Sequence, residues 1–172
     1  MGQLHSPDPS LHRYLPLIPF PPYRHLPGVT PHPHTHPDGH SYNAEEEYAG
    51  PSLTVENWRK NDAYLYGVDV CNHAYWWEAH EAWEGLWKLE GKESLCRVYL
   101  QGLIQTAAAL IKWRQGNRRG VEKLWEQAKQ KLERVDGEAP VYMGLDIASF
   151  VTCAERSLFA SDGAQPPLIR LS

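Results

Sequence analysis

The chain has 172 residues, a formal net charge of -4 and an isoelectric point near 6.1. That size suits one domain with appendages, and the acidic balance argues against a surface built for phosphate backbones or anionic lipid, so neither nucleic acid nor a membrane is expected as a partner. Cys71, Cys96 and Cys153 are widely spaced and form no CxxC pair, which indicates neither a disulfide framework nor a thiolate zinc site. The start MGQLHSPDPS lacks the basic and apolar regions of a signal peptide, and the longest apolar run, Gly102 to Ile111, is too short for a membrane span. The expected location is a reducing cytoplasm.

In chain order, residues 1–53 read as a Pro/His-rich strap, because ten of the fourteen prolines precede residue 51 and remove the amide donors that helices and sheets need. Leu15, Leu17, Ile18, Phe20, Tyr23 and Leu26 carry too much apolar surface to face water, so the strap is expected to lie extended, in a polyproline-like conformation, on the folded body. It ends in TPHPHTHPDGHSY, which brings His32, His34, His36 and His40 together. His34 and His36 are expected to face solvent.

Residues 54–160 read as an all-α body, a compact bundle of about five helices, with apolar residues returning every three or four positions and no alternating strand. Thr54 is expected to cap the first helix and Asn72 the second, which runs from His73 to about Leu89, with His73 on the surface at its start. A third helix covers about Ser94 to Gln115 and stops at Gly116; a fourth covers about Arg118 to Val135; Asp146 caps a fifth. The pattern breaks over 161–172, a C-terminal tail.

The second helix holds the chemistry, since YWWEAHEAWEGLW threads four of the seven tryptophans between Glu78, His80, Glu81 and Glu84. Helical spacing puts Trp76, His80, Trp83 and Trp87 on one stripe and Trp77, Glu81 and Glu84 on the next. A buried Trp removes roughly 200 Å² from water, on the order of 5 kcal/mol at about 25 cal/mol per Å², so the cluster reads as core. Carboxylates beside such a core need partners.

Two readings supply them. In the first, Arg97, Gln101 and Gln105, four residues apart on the third helix, donate to Glu81 and Glu84 and, with Trp77, enclose a polar pocket; the protein is then a binding or assembly module, with a small-molecule ligand or a second copy of the chain as its partner. In the second, His80 and Glu84 at i and i+4 hold a divalent metal such as zinc while Glu81 acts as a base, and His32 and His40 of the strap supply further imidazoles; the catalytic candidates of this hydrolase-like enzyme are His80, Glu81 and Glu84. HEAWE differs from the HExxH pattern of zinc proteases in having Glu84 where the second histidine stands. Neither a nucleophile beside a base nor a glycine-rich phosphate loop is present.

CNHAYWWEAHEAWEGLW followed by YLQGLIQTAAALIKWRQGNRRGVEKLWEQAKQKL resembles the bacterial family catalogued as domain of unknown function 309, whose pattern is FN, EAHE, WE, GLIQ and a GN..G turn. The likeness covers about Tyr64 to Val135, with Cys71 standing where the family usually has Phe. It implies a small helical bundle with a site at His80, Glu81, Glu84, Arg97, Gln101 and Gln105, and it implies no activity.

Overall fold

In the computed structural model, residues 7–44, 50–160 and 164–172 are described. Five helices make up most of them: α1 Asp62–Asn72, α2 Trp76–Leu89, α3 Leu95–Arg114, α4 Arg118–Glu138 and α5 Ile147–Phe159. Short loops fold α2, α3 and α4 each back on its predecessor, and α1 packs on α2, α2 on α3, α3 on α4 and α4 on α5. Side-chain caps fix four of the starts: Asn61 accepts from the Tyr64 amide, Ser94 from Arg97, Asn117 from Gly120 and Asp146 from Ser149. Gly116, at φ 69°, closes α3.

Thr54 caps a shorter object than the helix expected for it. Its Oγ1 accepts from the amides of Glu56 and Asn57, and a 3-10 turn at Trp58–Lys60 follows before α1 begins at Asp62. Asn72 likewise ends α1 and does not open α2. Its side chain donates to the Ile169 carbonyl at 2.8 Å and accepts from the Ile169 amide at 2.7 Å, which fastens the C-terminal segment to the body. The Leu171 amide adds a bond to the Tyr14 hydroxyl and the Ser172 amide one to the Gly144 carbonyl, so residues 164–172 of the C-terminal tail are docked on the body. Asn72→Ala should cost about 1–2 kcal/mol and speed proteolysis near Ile169, since it removes both bonds and adds no clash; unchanged cleavage would show that Ile169 is held by its burial alone.

A two-residue strand pair, β1 Val141–Tyr142 and β2 Leu145–Asp146, is the element that hydrophobic periodicity did not reveal. Met143 and Gly144 both have positive φ, 49° and 79°, the geometry of a primed hairpin turn, and strands of two residues are too short to show alternation. Among the described residues, no helix is long and apolar enough to cross a membrane.

Residues 13–40 lie on α1 and α2. The Asp69 carboxylate, fully buried on α1, accepts from the amides of Tyr14 and Leu15 at 2.8 Å each, and Arg24 donates to the His73 carbonyl. Tyr14, Leu15, Phe20 and Leu26 pack against the core. The segment does not run as an extended polyproline strand: local bonds from Ile18 to Leu15, Thr30 to Leu26, His36 to His32 and Ser41 to Pro33 fold it into successive turns. Leu17 is 94% exposed, against expectation, because it sits at the tip of a turn whose carbonyls, those of Leu15, Pro16 and Ile18, are gathered by the Arg13 guanidinium.

Candidate functional site

α2 buries Trp76, Ala79, Trp83 and Leu86. This stripe is rotated from the expected one, so His80 and Trp87 fall on its flank and avoid burying an imidazole among indoles. Trp83 can sit deepest because Gly67 of α1 has no side chain: a Cβ there would collide with the indole. The rotation also turns Glu78 under the strap, where it becomes the buried carboxylate of the helix. Its Oε1 accepts from the His25 amide at 2.9 Å and meets His40 Nε2 at 3.1 Å, while Oε2 is buried with no hydrogen-bond partner among the described residues. Burial pushes the Glu78 carboxyl up, against the pull of the His25 amide and of His40.

Trp77 is collared by the strap, with the rings of His25, His32 and His34 at 5.1, 5.4 and 5.6 Å from its own. One turn along the helix, His80 Nδ1 lies 3.2 Å from Glu81 Oε1, and His34 Nε2 lies 3.5 Å from Glu81 Oε2. Among the described residues, His80, Glu81 and Glu84 are the group of three whose metal-ligating atoms come within 4.8 Å of one another. The side chains of Glu81 and Glu84 are 36% and 34% exposed, so the group is reachable from solvent. Burial alone would raise the Glu81 carboxyl, but His80, His34 and Lys88 outweigh it and hold the group below the usual carboxylate range. A carboxylate that stays ionised beside two imidazoles is a ready metal ligand.

Several expected site residues lie elsewhere. Arg97 is no partner of Glu81 or Glu84: it donates to the carbonyls of Trp87 and Glu90 at 2.8 and 2.9 Å and stacks on the Trp87 ring, capping the negative end of α2. Gln105 donates to Gln127 on α4, and Gln101 is half-buried on α3. Trp77 faces the strap, so Trp77, Arg97 and Gln105 are turned to three different neighbours. Antiparallel packing is the reason, because it sets the first turn of α3 against the last turn of α2. Nor do His32 and His40 join His80 and Glu84. His32 Nδ1 accepts from the His34 amide, and His40 is spent on Glu78. His73, expected at the surface, is buried at the end of α1 against Phe20.

Glu78 escaped sequence reasoning: it sits in the quoted stretch but takes its burial from a segment far away in sequence. His34 is exposed as expected, and what the sequence did not show is its approach to Glu81.

The fold and site together define a small all-α domain with a mixed imidazole and carboxylate cluster on one helix. Residues 64–124 match the model of the family described as Domain of unknown function (DUF309), so that segment is similar to this family. The match takes in α1, α2 and α3 and the beginning of α4, and includes Glu78, His80, Glu81 and Glu84, but stops short of the strap with His34 and His40. No curated protein matches the chain.

Proposed function

We propose that this protein is a binding module for a divalent cation, zinc first, held on α2 by His80, Glu81 and Glu84. The convergence of the three donor groups within 4.8 Å carries the reading. A tetrahedral zinc with ligands at about 2.1 Å sets donor atoms about 3.4 Å apart, so closing the group on an ion takes side-chain rotations of about 1 Å and no movement of the helix. Two carboxylates balance the charge of a divalent ion, and a nitrogen and oxygen donor set suits zinc better than magnesium or calcium. The loss of Arg97 as a partner for these carboxylates weighs against a network of side chains alone. A second reading, metal-dependent hydrolysis, draws support from the solvent access of Glu81 and Glu84, because three protein ligands leave a fourth position for water.

Zinc titration of tag-free full-length protein, followed by calorimetry and thermal melting, tests the proposal. The wild type should take up zinc with one ion per chain and melt about 5–10 °C higher at a free zinc concentration about 100 times its Kd. His80→Ala should bind at least tenfold more weakly and lose that gain. A wild-type chain that takes up no zinc, or melts at the same temperature with and without it, would sink the reading.

A further inference from the structure

We infer that His34 is the fourth ligand of this site, so that the cation fastens the strap to α2. The inference rests on the cation reading of His80, Glu81 and Glu84 and adds to it a donor from outside the matched family segment. His34 Nε2 stands 3.5 Å from Glu81 Oε2 and His80 Nδ1 stands 3.2 Å from Glu81 Oε1, so the two imidazoles approach opposite oxygens of one carboxylate; His34 lies outside the group of three whose ligand atoms come within 4.8 Å of one another, and joining it takes a rotation of the His34 ring. The loop that delivers His34 is anchored on both sides. Before it, the His25 amide is bonded to Glu78; after it, His40 meets the same carboxylate, and the His40 amide donates to the Tyr23 hydroxyl. Within it, the Ser41 amide reaches back to the Pro33 carbonyl and closes the turn. His34 itself is 46% exposed, so its ring is free to swing the short distance needed for ligation.

The consequence concerns the kind of site. With two imidazoles and two carboxylates the coordination shell is full, which is the mark of a structural or regulatory ion and not of a hydrolytic one. Occupancy then sets how firmly the strap covers Trp77 and Glu78. In the metal-free chain the strap is held by the Asp69 and Glu78 contacts, by Arg24 on the His73 carbonyl and by the packing of Tyr14, Leu15, Phe20 and Leu26 on the core.

The test compares zinc affinity and strap protection in wild type, His34→Ala, His32→Ala and His80→Ala, all tag-free and full length. The metal-free melting temperature of His34→Ala, a change at a half-exposed ring, serves as the folding control. The expected result is a tenfold to hundredfold weaker zinc affinity in His34→Ala, an affinity within threefold of wild type in His32→Ala, and zinc-dependent slowing of proteolysis between residues 28 and 44 in wild type that His34→Ala abolishes. If His80→Ala loses zinc while His34→Ala binds like wild type, the fourth-ligand assignment is wrong and the three-residue site stands. If His34→Ala weakens binding and His80→Ala does not, the ion rides on the strap alone and both readings are wrong. A wild-type chain that binds no zinc also overturns both.

Discussion

Asp69→Ala should lower the stability of the protein by about 3–5 kcal/mol, the largest effect expected from any polar residue outside the cation site. Its carboxylate is fully buried, accepts from the amides of Tyr14 and Leu15, and has Arg13 Nε at 3.7 Å. Alanine removes the one group that answers all three, leaving two amides without an acceptor and a guanidinium that is 19% exposed without its counter-charge. At about 2–4 °C per kcal/mol for a chain of this length, the melting temperature should fall by roughly 6–20 °C. The strap should become sensitive to protease near Leu17 at the same time. A shift under about 1 kcal/mol with the strap still protected would show that its apolar residues hold it unaided.

Trp83→Ala should cost about 3–5 kcal/mol, because the indole is completely buried against Gly67 and the cavity cannot collapse between two helices. The more telling measurement is the cycle with Gly67→Ala. Alone, the added methyl meets the Trp83 ring, whose surroundings prevent it from moving aside, and should cost about 1–3 kcal/mol. With Trp83 already replaced by alanine the methyl has room, and the better helix propensity of Ala, worth about 1 kcal/mol, should make the same change neutral or stabilising. Chemical denaturation of the four variants would reveal the coupling. Additivity within about 0.5 kcal/mol would mean that α1 and α2 shift apart freely and that the glycine is not there to admit the tryptophan.

The lower half of the bundle was legible for a local reason. Ser94, Gly116 and Asp146 act within one turn of their own backbone, so the ends of α3 and α5 follow from short-range chemistry. Where two residues compete for one role, as Thr54 and Asn61 do at the start of α1, the winner depends on where Trp58 must point, and its ring packs over Gly144 from the far end of the chain. The face of α2 was misjudged for a similar reason. The stripes 76/80/83/87 and 76/79/83/86 are both helical, and what selects the second is the neighbours: Gly67 receiving Trp83, and the strap receiving Glu78.

By itself, then, the sequence determined the all-α class, the helices from α3 onward, and the nearness of Glu84 to His80 and Glu81, because residues four and three apart on one helix are neighbours whatever the rest of the chain does. Only the tertiary structure decided that Arg97 belongs to the end of α2, that Glu78 is the buried carboxylate, and that His34, not His32 or His40, stands beside Glu81. Helical neighbours are set by a fixed rise and turn, whereas a contact between the strap and α2 is set by loops whose closure the intervening residues permit in many ways. The choice among those ways falls to buried groups such as Asp69 and Glu78, whose amide partners hold the strap in one register.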